Sequence, residues 1–213
     1  SLKPAAAAPA DPALGWSRTA SIGFATAQGN SESLLVTADL ASDYRGTENE
    51  LFLHLGGAYG ENAGETNAEN ARASAQYNRL FSERWYGAVA TRLQYDSVAQ
   101  VDYRVTPRAA LGYYFVRTDA VQLSFEAGPG YLWEEVGGLA ADYFTVEALQ
   151  KLSWKITDTI SIGETLGYIG SPEDFNDYLI LATAFVDVAM TDRVSFRASV
   201  TNTFDNTPAA GAK

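Results

Sequence analysis

From Trp16 onward the chain alternates apolar and polar residues with a period of two, the spacing at which a β-strand sends successive side chains to opposite faces. Over 121–134, Val121, Leu123, Phe125, Ala127, Pro129, Tyr131 and Trp133 share one face, and Gln122, Ser124, Glu126, Gly128, Gly130 and Glu134 share the other. Near the end, Val194, Phe196, Ala198 and Val200 alternate with Ser195, Arg197, Ser199 and Thr201. The same rule predicts eleven strands, at 16–28, 33–45, 51–61, 70–81, 85–96, 103–116, 121–134, 143–156, 160–170, 178–190 and 194–205. Ahead of them lies an Ala- and Pro-rich segment, 1–15, read as a flexible leader.

The connections sort by length. Ser82-Glu83-Arg84, Arg117-Thr118-Asp119-Ala120, Thr157-Asp158-Thr159 and Thr191-Asp192-Arg193 are tight turns, rich in residues that bond back to local backbone. Glu61 to Glu69, Ser97 to Asp102, Glu135 to Asp142 and Ser171 to Asp177 read as long loops between them. Short turns at one end and long loops at the other are the layout of an outer-membrane barrel, with the short side periplasmic. Folding about Asp158 sets Trp154 opposite Ile162 and Leu152 opposite Glu164. Folding about Asp192 sets Val188 opposite Phe196 and Val186 opposite Ala198. Apolar residues then meet on a shared face, as register demands.

Alternation alone also suits a soluble two-layer β-protein with its aromatics in the core, so the polar face has to decide. It carries Asp39, Arg72, Arg92, Arg108, Glu126, Glu147, Lys151, Asp187 and Arg197 in mid-strand, among Gly, Ser, Thr and Ala. Opposite charges beside small residues suit the confined interior of a closed barrel, where they can pair. The apolar face places Trp16, Phe81, Trp85 and Trp154 beside the turns and Tyr59, Tyr95, Tyr131 and Trp133 beside the loops, like two interfacial girdles. Pro107 and Pro129 fall in mid-strand, where each is expected to need a bulge or a water-bonded neighbour.

Composition narrows the classes. The chain of 213 residues is 46% hydrophobic, yet it lacks the roughly 18 consecutive apolar residues of a membrane helix. It has no cysteine, hence neither disulfide nor thiolate chemistry. A net charge of −11 argues against nucleic acid as a partner.

Several pieces in order, Trp16 leading to Gly23 and Gly29-Asn30-Ser31, Arg108 with Leu111-Gly112-Tyr113, the run Glu126-Ala127-Gly128-Pro129-Gly130-Tyr131, and Asp174-Phe175 before Tyr178, resemble the YdiY-like salt-induced outer-membrane proteins, a family defined by a domain of unknown function. The resemblance runs from about Trp16 to the end and implies a Gram-negative outer-membrane barrel without an established activity. Members of that family continue into one more strand, and barrels of one chain use even strand numbers. The expectation is therefore an all-β, antiparallel, up-and-down transmembrane barrel over 16–213, with eleven strands visible and a twelfth, closing strand beyond them.

Candidate chemistry is sparse. The sole histidine, His54, faces the interior by parity, near Asp43 and Asp39, and could act as an acid or base in a lipid-acting enzyme. No nucleophile stands at a recognisable spacing, so no enzyme is expected and His54 is read as part of the interior charge network. The loops are acidic, and Glu173, Asp174 and Asp177, with Asn176, are the densest set of oxygen ligands. They could hold Ca²⁺ or Mg²⁺ as a bridge to lipopolysaccharide, with no other cofactor expected. Gln150 and Glu164 fall on the lipid face as diagonal neighbours, marking a protein contact or a local bulge, since a partner subunit, a protonated Glu164 or a register shift would relieve their exposure to lipid. The resulting expectation is a structural or porin-like narrow barrel passing small solutes or ions, with a scaffold binding a partner or lipopolysaccharide as the alternative.

Overall fold

The computed structural model describes residues 14–27, 33–174, 176–190 and 195–206. The leader over 1–13, the Gly29-Asn30-Ser31 turn, Phe175, the turn at Thr191-Asp192-Arg193 and the tail from Thr207 to Lys213 lie outside them. The described elements are β1 (Gly15–Ala27), β2 (Ser33–Arg45), β3 (Asn49–Asn62), β4 (Glu65–Leu80), β5 (Trp85–Asp96), β6 (Val101–Arg117), β7 (Val121–Val136), β8 (Leu139–Lys155), β9 (Ile160–Gly170), β10 (Tyr178–Ala189) and β11 (Ser195–Asp205). They form one antiparallel sheet in chain order. Among the described residues no ladder joins β1 to β11, and no helix is long and apolar enough to cross a membrane.

Register follows the apolar pattern. Trp154 faces Ile162, Leu152 faces Glu164, Val188 faces Phe196 and Val186 faces Ala198. At the tight turns, backbone N–H groups of Trp85, Val121 and Ile160 donate to the hydroxyls of Ser82, Thr118 and Thr157 at 3.0, 2.9 and 2.9 Å. Those bonds satisfy donors that the reversing chain removes from the ladder.

Two of the expected long loops are instead hairpins. β3 and β4 run on to Asn62 and Glu65 and reverse at Ala63-Gly64, with φ of 52° and 83°. β7 and β8 run on to Val136 and Leu139 and reverse at Gly137-Gly138, with φ of 59° and 76°. Two successive positive φ values make the turn whose twist matches that of the flanking strands. The segments read as loops because alternation breaks down there, through polar residues around Ala63-Gly64 and through the paired glycines and alanines around Gly137-Gly138, while the ladder continues.

The prolines also depart from expectation, since no register shift falls at either. The shifts lie at Gly60/Glu61, Gln94/Asp96, Val101/Tyr103 and Tyr114/Val116. Pro107 pairs with Thr91 on β5, and Pro129 pairs with Val146 on β8, but neither has a partner across the β6–β7 seam. Both missing N–H groups are thus placed in one seam, which keeps a single register through Val105↔Trp133, Arg108↔Gly130 and Leu111↔Ala127.

The sheet curls. Four strand spacings separate β4 from β8, about 19 Å on a flat sheet, yet Lys151 Nζ donates to Gln76 Oε1 at 2.8 Å. Tyr114 on β6 likewise reaches Glu50 on β3 at 2.6 Å. Glycines make the curl possible where large side chains lie flat on the wall. Tyr86 covers Gly112, and Phe185 covers Gly163, each its direct cross-strand partner.

A side chain at Gly112 would occupy the volume of the Tyr86 ring. Gly112→Val should destabilise the fold by roughly 1–3 kcal/mol, the usual range for overpacking. Urea unfolding in detergent micelles reads this, and an unchanged midpoint would show that Tyr86 is not held against the wall.

Candidate functional site

The inner face of β7 places Glu126 at the centre of the concave side, with 1% of its surface exposed. It accepts hydrogen bonds from Arg108 Nη2 at 2.5 Å, Gln76 Nε2 at 2.8 Å, Tyr86 Oη at 2.9 Å and Lys151 Nζ at 3.3 Å. The donors come from β6, β4, β5 and β8, so one carboxylate ties together five strands. Gln76 Oε1 in turn accepts from Arg108 at 3.0 Å and Lys151 at 2.8 Å. A buried carboxylate persists as an anion when cations and donors satisfy it in this way.

The network continues toward the turn end. Gln76 Nε2 also donates to Asn78 Oδ1 at 2.8 Å, and Asn78 Nδ2 donates to Glu50 at 3.0 Å. Glu50 also accepts from Tyr114 at 2.6 Å and Arg117 at 3.0 Å. Two amides two residues apart on β4 thus join two buried carboxylates into one chain of bonds. Toward the loop end the contacts loosen: Glu147 Oε2 lies 3.6 Å from Arg92 Nη2 and 3.8 Å from Arg108 Nε. Beyond them Arg104, near the loop end of β6, donates to Glu134 at 2.6 Å. Gly130 leaves room for Glu147, since a Cβ there would come within 2.5 Å of Glu147 Oε1.

The remaining interior residues from the sequence pattern lie on the other walls and are more open. His54 Nε2 is 3.3 Å from Asp43 Oδ1 without hydrogen-bond geometry, and its side chain is 55% exposed. Ser74 stands directly across from His54 in the β3–β4 register, but no hydrogen bond joins them among the described residues. Asp39 sits over Gly56, its cross-strand partner. Asp187 takes a two-pronged bond from Arg197 at 2.6 and 2.7 Å, and the guanidinium stacks over Phe185 at 4.4 Å. Arg72 is exposed on the inner face and forms no ion pair among the described residues.

In the loop between β9 and β10, Ser171 Oγ accepts from the N–H of Glu173 at 3.2 Å, and Asp174 Oδ1 accepts from the N–H of Asn176 at 2.9 Å. Asp177 N–H donates to the Asp174 carbonyl at 2.9 Å. Glu173, Asp174 and Asp177 therefore share a tight loop, but no three acidic or histidine side chains converge as a metal site among the described residues. On the outer face Gln150 and Glu164 are half-buried diagonal neighbours across β8 and β9, and neither makes a hydrogen bond or ion pair within the described chain.

Sequence reasoning missed Glu50, Gln76, Asn78, Tyr86, Tyr114 and Arg117. Glu50 was lost because β3 starts at Asn49, ahead of the predicted 51. Gln76, Asn78, Tyr86 and Tyr114 share the parity of the inward charges on their own strands, and Gly112 opposite Tyr86 was the available sign of an inward ring; Arg117 lies beyond the predicted 103–116 and turns inward only because of the register shift at Tyr114/Val116.

Removing one member of the central pair should expose the other as an unbalanced buried charge. Arg108→Met is expected to cost about 3–5 kcal/mol, whereas Arg79→Gln, at an exposed pair with Glu48, should leave stability nearly unchanged. Glu126→Gln combined with Arg108→Met should lose less than the sum of the single changes. Strict additivity in this double-mutant cycle would show that the pair does not hold the interior together.

No curated protein matches the chain. A family model does, over residues 20–213, covering all eleven strands apart from the first residues of β1. With that span, the barrel-like sheet and the Gly128-Pro129-Gly130 seam inside the match, the chain belongs to the family described as "Protein of unknown function, DUF481".

Proposed function

We propose that this chain forms the wall of a bacterial outer-membrane β-barrel, filled along one side by the Glu126–Glu50 network and open along the other to water and small ions. The observation that carries this reading is the outer face. Ile22, Phe24, Val89, Phe196 and Val200 are 84%, 70%, 64%, 59% and 73% exposed. Water-soluble proteins rarely leave so continuous an apolar surface bare, whereas lipid covers it at no cost.

The aromatic positions support the same reading. Trp85 and Tyr95 are ten residues apart on β5, as are Trp154 and Phe144 on β8. Ten residues span about 33 Å of strand, and a tilt of about 40° reduces this to roughly 25 Å, the height of the apolar band on outer-membrane barrels. Trp16–Tyr44 and Trp85–Tyr113 pack with ring centroids 5.3 and 4.8 Å apart toward the turn end, and Tyr131–Trp133 at 4.5 Å toward the other.

The reading assigns no catalytic role to His54. Water and ions would pass by β1 to β3 and β9 to β11, past Asp39, Asp43, His54, Asp187 and Arg197. The acidic mouth, including Glu61, Glu69 and Asp142, would meet lipopolysaccharide, with Ca²⁺ or Mg²⁺ as the bridge between like charges.

Conductance across a planar lipid bilayer tests this function. The wild-type chain should insert and pass small currents, far below those of an open porin. Replacing Gln76, Glu126 and Lys151 by Ser should raise them several-fold by removing the side chains that fill the interior. A large, steady wild-type current that the triple variant leaves unchanged would sink the proposal.

A further inference from the structure

Below the row of aromatics at the turn end lies a groove of about 420 Å³, open to the outside and lined by Trp85 of β5, Leu111, Tyr113 and Phe115 of β6, and Phe125 and Ala127 of β7. Its shape follows from register. Trp85, Tyr113 and Phe125 are direct neighbours across three strands, while the adjacent row is Leu111, Ala127 and Ala148. The step from large rings to small side chains leaves the hollow. Trp85 and Phe115 each meet the Tyr113 ring edge-on, at 4.8 and 5.1 Å, which fixes its walls.

A cation stands at the rim. Arg84, in the turn before β5, donates from Nη1 to Tyr113 Oη at 3.2 Å, and its carbonyl accepts from the N–H of Tyr114 at 2.9 Å. These bonds anchor the turn beside the groove. Arg84 forms no ion pair among the described residues, and Glu83, the next residue back, acts on it only through space. An apolar trough that ends at a positioned guanidinium matches a molecule with a hydrocarbon tail and an anionic phosphate, which Arg can bind with two parallel N–H donors.

We propose that this groove binds one anionic phospholipid, its phosphate at Arg84, its glycerol region beside Trp85 and Tyr113, and an acyl chain along Leu111 and Ala127. The inference rests on the membrane reading above, which places the short turns at the periplasmic surface, in the leaflet made of phospholipid. The net charge of −11 sharpens it. So acidic a chain repels anionic lipid in general, so a preference for it at this position has to come from a local site.

Trp85 is a built-in reporter. With Trp16, Trp133 and Trp154 replaced by Phe, the protein is reconstituted into phosphatidylethanolamine vesicles containing a minor fraction of phosphatidylglycerol brominated near the top of its acyl chains. Quenching of Trp85 should exceed, several-fold, that produced by the same fraction of brominated phosphatidylethanolamine. Arg84→Gln should abolish the difference, and Ala127→Phe, which fills the hollow, should weaken quenching by the anionic lipid. Equal quenching by the two brominated lipids in the Arg84-containing protein would overturn the site, leaving only ordinary surrounding lipid. Quenching by neither would instead overturn the membrane reading itself. If the triple replacement does not fold, subtracting the signal of a Trp85→Phe variant from that of the four-tryptophan protein isolates the same quantity.

Discussion

A carboxylate that five strands share imposes a condition on the whole sheet. Glu126 keeps its charge away from water only while Arg108, Gln76, Tyr86 and Lys151 reach it together, and they can do so only if β4 and β8 are bent toward one another. The curvature of the wall and the pairing of its interior are therefore one requirement. Gly112 and Gly130 belong to that requirement, because Tyr86 and Glu147 lie against the wall where those residues have no side chain. So do the paired amides Gln76 and Asn78, which extend the constraint from Glu126 to Glu50 without adding a charge.

The interior is uneven around the sheet. Four cations, Arg92, Arg108, Arg117 and Lys151, face three carboxylates, Glu50, Glu126 and Glu147, along β3 to β8. Along β1, β2, β9 and β10 the inner face is mixed, with Ser17, Thr19, Asp39, Gly163 and Thr165 beside the apolar Ile169, Leu179 and Phe185, and its ion pairs are isolated, such as Asp187 with Arg197 of β11. A packed, bonded side resists deformation. The placement of both prolines in the β6–β7 seam fits this division. Its missing backbone bonds lie beside Arg108 and Glu126, where side-chain bonding is densest.

The alternation of apolar and polar residues made the strands, their order and their register legible, because a one-residue slip would turn Ile162, Val186 and Phe196 inward. It also put Arg108, Glu126, Glu147 and Lys151 on one face. Parity cannot say which inward residues meet, since that depends on how far the sheet bends, and Gln76 with Lys151 is a contact four strands apart. The hairpin tips were illegible for a different reason. Around Ala63-Gly64 and Gly137-Gly138 the residues are largely exposed, so nothing forces the sequence to alternate, and the ladders there continue with side-chain bonds such as Tyr131 to Asp142 beside them.

Those extended hairpins give the wall an unequal height. β6 and β8 are 17 residues long, while β9 is 11. The difference of six residues is roughly 20 Å measured along a strand. The mouth is consequently slanted, like a cylinder cut obliquely. In the proposed barrel the rim stands highest at β7 and β8, where it carries Glu134, Glu135 and Asp142, and steps down at β9, whose last residue, Gly170, pairs with Val146 well inside β8.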